Sequence, residues 1–115
     1  MTAREIAKIA VNAIEDKKGI ETKVIEISKI SVMADYFVIT GGSNPNQVSA
    51  LVENVEEELS KAGVHAKHIE GHGNANWVLL DYGDVIIHIF NEEDRLFYDL
   101  EKIWSDGSDI SIDEL

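Results

Sequence analysis

Two carboxylates and an imidazole, Asp81, Asp84 and His88, flank Tyr82 and Gly83 inside an otherwise apolar stretch that runs from Trp77 to Phe90. On two adjacent strands such a set could ligate a divalent metal or serve as an acid–base pair. Nothing nearby in the chain supplies an activated nucleophile or a cofactor loop, so docking to a basic partner is the simpler chemistry. With Tyr82-Gly83 as a two-residue hairpin loop, Asp81 lies opposite Asp84, Leu79 opposite Ile86, and Trp77 opposite His88. The reverse face is then Val78, Leu80, Val85, Ile87 and Ile89, all apolar. Like charges directly opposite on a sheet destabilise it, so a positively charged group from outside the fold would reward the arrangement. Trp77, beside Leu79 and Ile86 and ringed by the two aspartates and His88, has the make-up of a binding anchor with a charged rim. The competing reading is that a helix covers this face and Trp77 is core; the cost of burying unpaired carboxylates weighs against it. The register depends on the turn. Tight hairpin turns want positive φ at the first loop residue, which suits Gly and not Tyr82, and a longer loop with a bulge at Gly83 would shift the pairing.

Three further groupings bear on chemistry. His65, His68 and His72 invite a zinc reading, but on a strand His65 and His68 point to opposite faces and His72 falls among glycines, so the spacing is poor for one ion; solvent-exposed histidines are the plainer account. Gly41-Gly42-Ser43, between a strand and a helix, superficially matches a phosphate-cradling turn. It lacks the Lys-Ser/Thr ending of a Walker A loop. It does resemble the turn of nucleotidyltransferases, whose next strand carries paired metal-binding aspartates; here that stretch, residues 65–70, holds only Glu70. The turn is therefore read as structural. Arg95 and Tyr98 share one flank of a helix; Tyr98 offers a phenol to a partner, and Arg95 either joins it or pairs with Asp81, Asp84 or Asp99.

The elements that must hold these residues are legible in the periodicity. Thr2 to Glu5 has the form of a capping box, and Ile6, Ile9, Ala10, Ala13 and Ile14 follow at helical spacing, with Lys17-Lys18 at the helix end and Gly19 closing it. Val24 to Ile27 reads as a strand and Tyr36 to Thr40 as a second, apolar on both faces as buried strands are. Asn44 and Pro45 open a helix with Gln47 in its first turn; Val48, Leu51, Val52, Val55, Leu59 and Ala62 form its stripe, with Glu53, Glu56, Glu57 and Glu58 mostly off it, and Gly63 ends it. Residues 65–70 are a third strand, the Trp77–Phe90 hairpin adds two more, and Asn91 caps a last helix running to Trp104. The order predicts an α/β (α+β) domain, a mixed five-stranded sheet flanked by helices, spanning residues 1–104. The strand–helix–strand crossover in its middle is expected to be right-handed and parallel. Residues 105–115 read as a frayed acidic tail.

The chain has 115 residues, no cysteine and a net charge of −12. Disulfide and thiol chemistry are thus excluded, and no apolar run reaches the roughly 20 residues that span a bilayer. The charge argues against a phosphate-binding surface, because nucleic-acid affinity comes largely from Lys and Arg, and favours fast encounter with basic partners. The charged, amphipathic start is unlike a signal peptide, and a cytoplasmic location is expected.

Several of these segments resemble one family. Asp35-Tyr36-Phe37-Val38-Ile39, Gly42-Ser43-Asn44, Glu70-Gly71, the Trp77–Phe90 stretch, and Arg95-Leu96-Phe97-Tyr98-Asp99-Leu100-Glu101 with Trp104 look like the ribosomal silencing factor (Iojap-like) family, over roughly residues 3–104. The resemblance implies a nucleotidyltransferase-like fold without that enzyme's metal aspartates, no catalysis and no cofactor. It implies a translation repressor that binds the free large ribosomal subunit when nutrients fall, docks on the large-subunit ribosomal protein numbered fourteen, and sterically blocks joining of the small subunit. Little direct RNA contact is expected, and some members of the family form homodimers when free. Carried over residue by residue, the partner-binding set is Glu70, Trp77, Leu79, Asp81, Tyr82, Asp84 and His88, with Arg95 and Tyr98. The residues themselves leave two other readings open: a retained nucleotidyl transfer at Gly42-Ser43, and a general acidic adaptor for basic proteins.

Overall fold

In the computed structural model the described residues are 1–29, 32, 34–71 and 76–92, with the backbone of 108–110. Helix α1 (Ala3–Asp16) begins as its sequence dictates. The Thr2 hydroxyl accepts the Glu5 N–H at 3.1 Å, and the Glu5 carboxylate accepts the Thr2 N–H at 3.3 Å, so two of the N–H groups a helix start leaves over are satisfied reciprocally. At the other end the Gly19 N–H reaches the Ile14 carbonyl and the Lys18 N–H the Glu15 carbonyl, a Schellman closure. The left-handed residue in it is Lys18, at φ 60°, not Gly19 as the sequence implied. Gly19 is required for a different reason: a Cβ there would run into the side chains of Ile14 and Thr40. Helix α2 (Pro45–Lys61) starts from the Asn44 side chain, which accepts the Gln47 N–H at 2.9 Å. It ends in the same closure, this time with Gly63 left-handed at φ 83°.

Strands β1 (Ile20–Glu26) and β2 (Tyr36–Gly42) pair antiparallel, with a bulge between Ile20 and Lys23 where Glu21 takes φ 46°. After α2 come β3 (His68–Glu70), β4 (Trp77–Asp81) and β5 (Val85–Asn91). These are the five strands the sequence predicts, in a mixed sheet. A sixth, β6 (Ser108–Ile110), lies antiparallel along β1, so the segment read as a frayed tail contributes backbone hydrogen bonds there. The order across the sheet is β3-β4-β5-β2-β1-β6. The α2 crossover does lead from β2 to a strand of the same direction. It lands at the far edge, however, and β4 and β5 fill the gap, so the parallel neighbour of β2 is β5. Asn91, expected to cap a helix, is the last residue of β5 and pairs with Gly42. The helix read over 91–104, with Arg95 and Tyr98, lies outside the described residues beyond Glu92, as does His72.

Both described helices pack on one face of the sheet. Ile6, Ala10, Val11 and Ile14 of α1 and Val48, Leu51, Val55 and Leu59 of α2 close over Val24, Val38, Val78, Leu80, Val85, Ile87 and Ile89. Polar side chains also enter this layer, Asn54 among them. Asn54, buried on the inner side of α2, donates from Nδ2 to the carbonyl of Ala13 at 2.8 Å. That carbonyl belongs to the last turn of α1, where four carbonyls lack a partner within the helix. The bond therefore fastens α2 to the end of α1. Replacing Asn54 with Ala should remove it, leave a cavity, and cost roughly 1–3 kcal/mol. Urea denaturation of the variant against the parent would show this as a lower midpoint at unchanged slope.

Candidate partner-binding face

The opposite face of the sheet carries the predicted site. Its composition follows from the β4–β5 register, which differs from the sequence expectation. Trp77 pairs with Phe90, Leu79 with His88, and Asp81 with Ile86. The Tyr82 N–H donates to the Val85 carbonyl at 2.9 Å, so the tight loop is Gly83-Asp84 rather than Tyr82-Gly83. Gly83 takes φ 85°, and Asp84 is not among the positive-φ residues, which is the pattern of a II′ turn with glycine first. Backbone preference thus moved the turn by one residue and the pairing by two. A shift of two preserves every side chain's face, so Trp77, Leu79, Ile86 and His88 stay together. The facing carboxylates do not survive it. Asp84 sits exposed in the turn, and its carbonyl accepts the N–H groups of Asp35 and Tyr36 at 2.8 and 3.1 Å. Asp81 is half-buried, and its Oδ1 accepts the Gly83 N–H at 2.7 Å, bracing the turn. The repulsion argued from the sequence is absent.

Across the sheet this face grades from closed to open. Phe37, Ile39, Ile86, His88 and Phe90 are buried. Next to them Trp77, Leu79 and Asp81 on β4 are half-buried. At the edge, β3 places Glu70 beside Leu79 and His68 beside Asp81, both exposed, with His68 Nε2 at 2.8 Å from Glu70 Oε1. The gradient puts an indole and an aliphatic side chain at the boundary between apolar interior and acidic rim. His68 and Phe90 were missed in the sequence reading. The period-two pattern could have found both, since Phe90 follows His88 on one face and His68 precedes Glu70.

Tyr82, expected at the centre of this patch, is buried on the other face. There it borders a cavity of about 230 Å³ lined by Glu56, Ser60, Val64 and Ile69. Burial, with Glu56 second, pushes its phenol up to about 12. It serves the core beneath α2 and the turn rather than the ledge of Trp77.

His88 is 3% exposed. Its Nδ1 accepts the Trp77 Nε1–H at 3.1 Å, and its ring meets the edge of Phe37 at 4.7 Å between centroids. Trp77 in turn stacks on Phe90 at 5.4 Å and 22°. With Nδ1 as acceptor, the neutral ring carries its proton on Nε2, a buried atom with no hydrogen-bond partner among the described residues.

The Gly41-Gly42-Ser43 turn spends its donors internally. The Ser43 N–H and hydroxyl both donate to Gln47 Oε1, at 2.6 and 2.8 Å, and Gln47 Nε2 donates to the Lys18 carbonyl at 2.9 Å. A Cβ on Gly42 would press on Val48, and one on Gly41 on the Glu92 carboxyl. These glycines admit neighbouring side chains of this chain, and the Ser43 N–H is taken by Gln47 rather than left for a phosphate.

With this geometry in view, the chain's relatives can be named. A family model described as ribosomal silencing factor during starvation matches residues 1–115. The chain belongs to the ribosomal silencing factor family. It is 37% identical to the ribosomal silencing factor of Bacillus subtilis, over 93% of this chain and 91% of that one. It is 35% identical to the one from Halalkalibacterium halodurans, over 98% and 97%. A crystal structure of a Chromobacterium violaceum protein superposes with a TM-score of 0.88 at 36% identity, covering 96% of this chain and 92% of that one. Among the described residues no helix is long and apolar enough to cross a membrane.

The imidazole also makes stability depend on pH. In the unfolded chain it titrates near its ordinary value of about 6.5; in the fold, burial pushes it down to about 4. Between those values the unfolded chain binds a proton that the native ring does not, so stability rises with pH across that window. Acidification from 6.5 toward 4 should therefore cost up to about 3 kcal/mol from this group, with no further loss below. Urea denaturation at pH 7 and pH 4.5 would show it. The wild type should lose more stability than His88→Asn, which keeps every other titrating group and lacks this one.

Proposed function

We infer that this protein represses translation by occupying the large ribosomal subunit. Its Trp77 face docks on a basic ribosomal protein, the one numbered fourteen, at the surface that meets the small subunit, and the bound factor keeps the two subunits apart by its bulk. The observation that carries the reading is Trp77 itself, a half-buried indole on β4 stacked on Phe90, followed along the same face by Leu79, with Glu70 beside it, and by Asp81 next to the turn that holds Asp84. An aromatic anchor that is rigid before binding gains contact at little cost in ordering. The surrounding carboxylates select Lys and Arg on the partner and steer the encounter. The net charge of −12 opposes contact with ribosomal RNA. Family membership supports the ribosome as the target. On the resemblance, Arg95 and Tyr98 complete the docking set, the protein is cytoplasmic and needs no cofactor, and some members of the family form homodimers when free.

Co-sedimentation with purified large subunits tests this. Trp77→Ala should weaken binding by roughly 30-fold or more, the scale of an interface hot spot. Glu70→Arg combined with Asp84→Arg should abolish it while sparing the Asp81–Gly83 bond that braces the turn. Both variants should keep the parent's circular dichroism. Wild-type co-sedimentation by the folded charge-reversal protein would overturn the proposed face.

A further inference from the structure

His88 is too deeply buried for a partner to reach, yet its Nδ1 lies 3.1 Å from the Nε1 of the anchor. We propose that His88 is a positioning residue, whose Nδ1 holds the Trp77 indole in the one orientation that fits the partner; this rests on the reading of Trp77 as the docking anchor. Two of the indole's contacts bear on its orientation. Stacking on Phe90 sets its plane but leaves it free to slide or turn over, because stacking is only loosely directional. The N–H···N bond of 3.1 Å to His88 removes that freedom. His88 is itself fixed between the edge of Phe37, at 4.7 Å, and the near-parallel ring of Phe90, 13° from its own plane at 6.4 Å.

Packing does not explain an imidazole here. A phenyl ring would fill the same slot between Phe37 and Phe90 and carry no polar atoms. The imidazole instead leaves its Nε2 buried without a partner among the described residues, an arrangement that disfavours the fold. What the imidazole supplies and a phenyl does not is the acceptor at Nδ1. The second nitrogen is the unavoidable accompaniment of the first. The stability forgone goes to the preorganisation of Trp77, since ordering a large side chain before binding removes that cost from the binding step.

Two substitutions separate positioning from packing because they move in opposite directions. His88→Phe keeps the ring and loses the acceptor. His88→Asn loses ring volume but places an amide oxygen where Nδ1 stands. On this proposal His88→Phe binds large subunits about five- to tenfold more weakly than wild type, the scale of one hydrogen bond, and His88→Asn binds better than His88→Phe despite packing worse. Wild-type binding by His88→Phe, or weaker binding by His88→Asn than by His88→Phe, overturns it. A measurement on the unmutated protein holds even if both variants unfold. In uniformly nitrogen-15-labelled protein, a scalar coupling between Trp77 Nε1 and His88 Nδ1 transmitted through the hydrogen bond is expected, with the ring in the Nε2–H tautomer. An uncoupled indole or the Nδ1–H tautomer refutes the proposal. Trp77→Ala distinguishes the two levels of the argument. Loss of binding by Trp77→Ala with none by His88→Phe removes the positioning role alone. Unchanged binding by Trp77→Ala removes the docking face, and with it the purpose of the bond though not the bond itself.

Discussion

One hydrogen bond, from the Tyr82 N–H to the Val85 carbonyl, settles which residues of β4 lie beside which of β5, and the two faces of the domain follow from it. β5 lies inside the sheet: it pairs with β2 on one side and β4 on the other, and all its residues but the last are buried. Its alternation sends Val85, Ile87 and Ile89 to the layer beneath α1 and α2, and Ile86, His88 and Phe90 to the face of Trp77. A slip of one residue would exchange these sets and put an imidazole under the helices. Glycine first in the turn guards against this, because its positive φ is inexpensive at that position and nowhere nearby.

The two faces use polar groups differently. Under the helices, Asn54 finds a carbonyl that the end of α1 leaves over, so a buried amide is satisfied and ties two elements together. On the other face His88 satisfies one nitrogen with Trp77 and leaves the second without a partner among the described residues. The first is a structural device. The second costs stability at the place where the surface opens, and proteins tolerate such costs mainly where binding or catalysis returns them.

Much of this was legible in the sequence because the signals were local. The capping box at Thr2, the Asn44-Pro45 helix start and the Gly63 stop each depend on a few neighbouring residues, and each is found where the pattern places it. The separation of the hairpin into two faces held as well, since period-two alternation is insensitive to an even error in register. What failed was decided by competition or distance. Tyr82-Gly83 and Gly83-Asp84 were rival loops, and the backbone preferred the one with glycine leading. Tyr82 was assigned to the patch through a family likeness, whereas its place beside the turn puts it with Val85 under α2. Lys18 took the left-handed position for which Gly19 seemed made, because Gly19 was needed for its lack of a side chain. The pairing of β6 with β1 joins segments at opposite ends of the chain, and no local pattern announces it.

The topology carries a consequence for the protein's own synthesis. β2 is apolar on both sides, and its parallel partner β5 is made only after α2, β3 and β4, with Tyr36 waiting for Val85. Until then a nascent chain that has already formed α1, β1 and β2 presents an unpaired, flat, hydrophobic strand edge, the kind of template on which chains misassemble. α2, the next element of the chain, carries Glu53, Glu56, Glu57 and Glu58, like charges of the kind that oppose such association.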